Sequence, residues 1–223
     1  MMKYIEHAEE IFNLLKRELN NITTPIVARE KWNKIVHNPF TTLISCILSL
    51  RTKDEVTEQA SIRLLKIYNT PEKLMKLPEK KLQSLIYPVG FYKTKARRIK
   101  KISRELIDNY EGQVPDNFEE LIKFKGIGRK TANIVMLYGH KKQGFLPIDT
   151  HCHRIPNRLG WIKTKTPEQT EKELKKILPE KYWDDFNLLF VKFGQTLCLP
   201  ISPFCSRCPI QKYCKQISVV KKR

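Results

Sequence analysis

Apolar residues along this chain recur at spacings of three and four. In residues 4–19, Ile5, Ala8, Phe12, Leu15 and Leu19 fall on one face, the period of an amphipathic helix. Pro25 ends that region. Asn38-Pro39 reads as a cap followed by proline in a first helical turn, and it opens a strongly apolar helix over 40–50. A polar break at 51–54 precedes a helix over 55–68 that carries Val56, Ala60, Leu64, Leu65 and Ile67. Thr70-Pro71 and Leu77-Pro78 each start another helix. After a turn at 88–92, a long basic helix runs through Lys95, Arg98, Ile99 and Ile102 to Tyr110, and Gly112 closes it. Asp149 precedes a helix with Arg154, Ile155, Arg158 and Leu159, so its default role is an N-cap. Thr166-Pro167 with Gln169 is a further capping pattern, and residues 183–197 form an apolar helix rich in Leu188, Leu189, Phe190 and Phe193. No segment alternates as a strand would. The pattern predicts an all-α protein of about ten short helices with proline or glycine at the joints.

One joint differs from the rest. Residues 124–133 read FKGIGRKTAN. Upstream, Pro115 and Asp116 open a short helix, with Asp116 as N-cap and Glu119 at the capping-box position. Gly126 and Gly128 bracket Ile127, and Arg129, Lys130 and Thr131 lead into a second apolar helix. The stretch reads as helix, glycine turn, helix. Glycine accepts a left-handed backbone and puts no side chain between the backbone N–H groups and an approaching anion. The start of the second helix adds its dipole. The result is a phosphate seat with Lys130 in its first turn. A plain helical hairpin with solvated charges is the alternative that this stretch alone leaves open.

Composition narrows the choice. The net charge of +19 and pI near 9.7 call for a polyanionic partner, nucleic acid first and an anionic membrane surface second. No apolar run approaches the ~18 residues of a membrane span. The opening MMKYIEHAEE lacks a signal peptide's apolar core. A soluble intracellular protein, associated with the nucleoid, is expected. Cys46 lies inside an apolar helix and reads as an inert thiol. Cys198, Cys205, Cys208 and Cys214 are spaced C-x6-C-x2-C-x5-C. In a reducing compartment such a cluster points to metal rather than disulfides. A single close pair with longer arms suits an iron–sulfur cluster better than a zinc ion, with zinc the alternative.

FKGIGRKTAN, then PIDTHCHRIPNRLGW, then the four cysteines resemble the endonuclease III family of helix-hairpin-helix DNA glycosylases. LSLRTKDEVT, NTPEKL, VGFYKTKA and VPDNFEEL look like family segments in family order, so the resemblance covers nearly the whole chain. It implies two helical domains with a cleft between them. One is a six-helix domain over 32–143 with its hairpin at 116–139. The other is a discontinuous iron–sulfur cluster domain over 1–31 and 144–223. It implies a 4Fe-4S cluster on Cys198, Cys205, Cys208 and Cys214. Lys130 matches the family's nucleophile and Asp149 the aspartate that assists it. Arg51, Lys125, Gly126, Gly128, Arg129 and Thr131 are the candidate DNA-binding residues, with Arg129 otherwise read as an ordinary surface charge. The function implied is removal of oxidised pyrimidines with cleavage of the abasic site, by a monomer acting on double-stranded DNA and not on a membrane. A uracil or thymine mismatch glycosylase is the runner-up, and a non-catalytic DNA-binding module the competing class. Lysine at 130 favours the bifunctional enzyme, because mismatch-specific relatives carry tyrosine there and adenine glycosylases serine.

The chain departs from the family in places. Arg51 stands where many members have glutamine, and Lys125 where proline is common. Residues 199–204 between the first cysteines carry no charge, where the family often has basic residues; Arg207, Lys212 and Lys215 bring charge nearby. His151 and His153 beside Cys152 are not read as a metal site, since adjacent positions splay apart on a helix.

Overall fold

The computed structural model describes residues 5–20 and 34–223, and among these there are helices and no strand. The chain divides into two compact units, Met1–Pro25 with Leu146–Arg223 and Ile26–Phe145. The seams expected from the sequence were at 31/32 and 143/144. Pro25 itself lies outside the described residues.

The first helix, α1, spans Ala8–Leu19 and buries Ile11, Phe12, Leu15 and Leu19. It starts later than its apolar period predicts. The Ile5 N–H bonds to the Ile177 carbonyl at 3.2 Å, and His7 turns left-handed at φ 58. A long-range bond therefore holds Ile5 outside the helix.

The unit Ile26–Phe145 is assembled around α2, Pro39–Ser49. Its start is doubly capped: Asn38 Oδ1 accepts from the Thr41 N–H at 2.9 Å, and Thr41 Oγ1 accepts from the Asn38 N–H. Leu43, Ile44, Ile47 and Leu48 are all fully buried, each contributing roughly 1.5–3 kcal/mol by burial. Around α2 pack α3 (Asp54–Leu65), α6 (Tyr92–Tyr110) and α8 (Arg129–Ile134), while α4 (Pro71–Lys76) and α5 (Glu79–Ile86) pack on α6. The helix expected over 55–68 thus ends at Leu65, and Ile67 is 58% exposed. Thr70 caps α4 as its proline joint predicts.

The short helix before the glycine turn, α7, is Phe118–Leu121. Its cap is Asn117, whose Oδ1 accepts from the Glu119 and Glu120 N–H groups, and not Asp116. Asp116 is drawn instead to Lys142, whose ammonium reaches its carboxylate at 2.8 Å. The local pattern could not register that distant lysine. After α8 the helix widens into a π turn, Val135–Gly139, where the His140 N–H bonds to the Val135 carbonyl. There Gly139 lies so close to α2 that a Cβ would meet Pro39 Cα at 2.8 Å.

The unit containing residues 146–223 carries α9 (Thr150–Leu159), α10 (Pro167–Ile177) and α11 (Trp183–Thr196). α11 packs on both α1 and α9, and stacked Phe186 and Phe190 with Phe12 form its aromatic core. Single 3-10 turns lie at Cys205–Arg207 and Gln211–Tyr213; Cys205 opens the first, and Cys208 and Cys214 directly follow the two.

Candidate functional site

In the unit Ile26–Phe145 the glycine turn sorts its residues by exposure. Phe124 and Ile127 are buried and fasten the turn to the core. Thr131 is also buried, at 5% exposure, which makes it a packing residue rather than a side chain offered to a ligand. Lys125, Gly126, Gly128, Arg129 and Lys130 are exposed. Gly126 is left-handed at φ 90, and a Cβ there would meet the Arg98 guanidinium at 2.6 Å. Gly128 is extended at φ −101 and is the N-cap of α8. A Cβ on Gly128 would meet nothing within 4 Å, so the fold does not require glycine there. Arg129 lies over the Phe118 ring at 4.8 Å, and is more than a solvated charge.

The ammonium of Lys130 is within electrostatic reach of Cys46 on α2. Burial pushes that half-buried thiol up to about 12, and Lys130 pulls the other way. Beside the turn, Arg97, Arg98, Lys101 and Lys125 line an open groove along α6. Its charge suits a polyanion.

Arg51 belongs to the same unit and sits on the bend at the polar break expected over 51–54. It is left-handed at φ 55, and its guanidinium lies 4.8 Å from the centroid of the exposed Phe91 ring. The bend is held from below. Lys95, 4% exposed on α6, donates to the carbonyls of Leu48 at 2.8 Å and of Leu50, and to Thr52 Oγ1 at 2.9 Å. Thr52 Oγ1 also accepts from the Gly90 N–H at 3.2 Å. Gly90 must be glycine, since a Cβ would come within 2.7 Å of the Arg51 carbonyl. The helical pattern alone places Lys95 on a long basic helix without a role of its own. Its position on the apolar face, one residue before Ala96 and four before Ile99, was the available signal.

In the other unit Asp149 caps α9. Its Oδ1 accepts from the His151 and Cys152 N–H groups, both at 2.8 Å. The strand of backbone leading to it is pinned by Asn187, whose side-chain amide donates to the Pro147 carbonyl at 3.0 Å. His151 and His153 have polar partners of their own: Arg154 lies 3.1 Å from His151 Nδ1, and Thr170 Oγ1 2.6 Å from His153 Nδ1.

The same helix reaches the cysteines. Arg158, 7% exposed, donates to Cys198 Sγ at 3.3 Å and to the Leu199 and Pro200 carbonyls, both at 2.6 Å. Arg154 donates to the Cys198 carbonyl at 2.7 Å. Cys198, Cys205, Cys208 and Cys214 all line one cavity, walled by Leu159, Phe193, Phe204 and Ile210, with about 430 Å³ of space counted to its open mouth. Burial first, then the neighbouring thiols, hold Cys205, Cys208 and Cys214 above the ordinary thiol range, Cys208 at about 12. Among the described residues no three Cys, His, Asp or Glu side chains converge tightly enough to grip one metal ion. No helix among them is long and apolar enough to cross a membrane.

Known proteins share this design. A model of the HhH-GPD superfamily of base excision DNA repair proteins matches residues 44–180. Endonuclease III of Thermotoga maritima is 48% identical over 197 residues, covering 88% of this chain and 92% of its own. Endonuclease III-like protein 1 of Gallus gallus is 40% identical over 174 residues, 77% of this chain and 62% of its own. An endonuclease III solved as a trapped covalent intermediate with DNA is similar at a TM-score of 0.81, with 31% identity and 95% coverage of both chains. A thermostable thymine-DNA glycosylase superposes at 0.79 with 22% identity, a likeness of fold alone.

Proposed function

The chain belongs to the endonuclease III family, within the HhH-GPD superfamily of base excision DNA repair proteins, and from that membership we propose that it is a bifunctional DNA glycosylase and abasic-site lyase for oxidised pyrimidines. The carrying observation is Lys130, exposed in the first turn after Gly128 while its neighbours Ile127 and Thr131 are buried. An amine so presented can reach a substrate, and the preceding glycines let a phosphodiester backbone approach. The trapped covalent complex of a relative with DNA supports the same reading.

The chemistry follows from an amine nucleophile. A base inside a duplex is inaccessible, so the damaged nucleotide is flipped out. The neutral Lys130 amine forms a bond to the sugar C1′ as the bond from C1′ to the base breaks, and the base leaves with a proton. Opening of the sugar ring gives a Schiff base, which acidifies the 2′ proton. Loss of that proton expels the 3′ phosphate by β-elimination, and water then releases the lysine. Asp149 stabilises the positive charge that develops on the sugar and relays protons. It keeps its capping role throughout, because a carboxylate has lone pairs for both tasks. Arg51 fills the gap left by the flipped nucleotide, and Lys125, Arg129 and the groove along α6 hold phosphates.

Cys198, Cys205, Cys208 and Cys214 would hold a 4Fe-4S cluster. Four thiols around one cavity, too widely set for a single ion, suit a polynuclear centre. Bound there, the cluster would cross-link the last loops of the chain. The protein acts as a monomer on double-stranded DNA carrying a damaged base or an abasic site.

Borohydride trapping tests the assignment. The wild type is expected to form a covalent adduct with thymine-glycol or abasic duplex, and Lys130→Gln is expected to form none. Undiminished trapping by that variant would falsify Lys130 as the nucleophile.

A further inference from the structure

Beyond Asp185 the chain carries seven Lys or Arg residues and no Asp or Glu. The structure divides those cations into neutralised and uncompensated ones. Lys212 pairs with Glu10 at 3.1 Å. Lys192 is buried at 7% exposure. Lys215 lays its stem across Gly160, where its Cγ would lie 3.1 Å from an added Cβ. Arg207, Lys221, Lys222 and Arg223 remain exposed, and no carboxylate among the described residues pairs with them.

These four are gathered by contacts distant in sequence. The Arg223 N–H bonds to the Pro203 carbonyl at 2.8 Å, and the Arg223 carbonyl accepts from the Ser206 N–H at 2.9 Å. Arg223 Nε donates to the Ser202 carbonyl at 3.2 Å. Arg223 and Arg207 lie over the Phe204 ring at 4.0 and 4.5 Å from its centroid. Lys222 donates to the neutral Gln216 at 2.8 Å, and its charge reaches the Cys205 thiol. Residues 221–223 are thus folded back onto the cysteine loop 199–206, which supplies no cation of its own.

We propose that residues 221–223, folded against the cysteine loop and joined by Arg207, form a phosphate-binding surface for the backbone of duplex DNA. Arg207 and Arg223 share one ring, Lys221 and Lys222 adjoin Arg223 in the chain, and no Asp or Glu side chain pairs with any of them; a polyanion relieves the repulsion among such like charges. Contacts of this kind carry no base information and add affinity that falls with salt. No Asp or Glu side chain lies in the whole segment to oppose a phosphate. The surface rests on the DNA-repair reading for its ligand, but not on Lys130 or on any catalytic step.

The test is binding of a short undamaged duplex across a salt series by the cluster-loaded protein, for wild type and Lys221→Gln/Lys222→Gln. Both side chains are exposed, and Arg223 stays in place to keep the segment docked. Loss of two phosphate contacts should make the slope of log Kd against log salt shallower by about 1.8, at ~0.9 per contact. Lys221→Arg/Lys222→Arg should retain the wild-type slope. Lys172→Gln/Lys176→Gln on α10 changes net charge equally and should move the slope much less. An unchanged slope in the first variant, or an equal change in the α10 control, overturns the surface while leaving DNA repair intact. Wild type that binds no duplex in a salt-dependent way overturns both. Absorbance near ~400 nm, the mark of an iron–sulfur centre, should match in all four proteins. If the Gln variant loses it, the segment is a strap for the cysteine loop and the proposal fails.

Discussion

The Lys95 ammonium donates to the Leu48 carbonyl at 2.8 Å, closing the C-terminal end of α2 from the neighbouring helix α6. The last carbonyls of a helix have no partner within it, and here a buried lysine supplies one while fixing the Arg51 bend. Lys95→Met should leave the Leu48 and Leu50 carbonyls unpaired and lower stability by on the order of 2–3 kcal/mol. It should also weaken binding to lesion-bearing duplex through the Arg51 bend. Urea unfolding and duplex titration check the two effects. Full retention of both would remove Lys95 from this role.

The same lysine sets a pH dependence. Burial, with Arg98 adding, lowers Lys95 to about 8, while an unfolded chain holds the proton up to roughly 10.4. Between those values the unfolded state binds more protons, so stability gains from this residue as pH rises through the window. The gain is complete above the unfolded value and is lost as pH falls through the folded one. Comparing wild type with Lys95→Met across that range should show a positive difference in slope for the wild type. A flat difference contradicts it.

The hairpin glycines should separate folding from binding. Gly126→Ala strains a left-handed backbone and crowds Arg98, costing on the order of 1–3 kcal/mol. Gly128→Ala meets nothing within 4 Å, so its melting temperature should match wild type. Weaker duplex binding by that second variant would report a close approach of the DNA backbone. Equal destabilisation by both substitutions would contradict this division.

Asp149 combines a cap and a proposed catalytic carboxylate, and two substitutions pull them apart. Asn is as good an N-cap as Asp, whereas Ala lowers stability by about 1 kcal/mol. Asp149→Asn should therefore fold normally yet slow single-turnover excision by orders of magnitude, and Asp149→Ala should lose stability as well. If Asp149→Asn turns over normally, the residue is a cap and nothing more.

Arg158 ties α9 to the first cysteine loop by three hydrogen bonds. Arg158→Met keeps the stem but abandons the Leu199 and Pro200 carbonyls, so the loop should loosen without loss of any cysteine. The expected readout is earlier loss of the ~400 nm absorbance on heating, since that band needs all four thiolates. Unaltered bleaching would show that the loop is held by other contacts.

Much of this was legible in the sequence because it is local. Asn38-Pro39, Thr70-Pro71, Thr166-Pro167 and Asp149 all cap the helices they announce, since a cap speaks only to N–H groups a few residues away. Lys130 is exposed in the turn and the four cysteines line one cavity, although among the described residues no three of them converge on a single point. What escaped was decided at long range. Asp116 was claimed by Lys142 and Ile5 by Ile177, and Lys95 reached back to Leu48. Charge beside the uncharged cysteine loop comes from Arg207, as expected, and from residues 221–223, which fold back onto it, while Lys212 is paired with Glu10.

The helix α1 precedes the partner that covers it by most of the chain. At the ribosome its apolar face, Ile11, Phe12, Leu15 and Leu19, emerges long before its main neighbour α11 is made. The unit Ile26–Phe145 has all its strands of contact within one continuous stretch and can fold as it leaves the exit tunnel. During that interval the apolar face of α1 lacks the helix that covers it. Synthesis order, not stability, then makes the first helix the last to find its place.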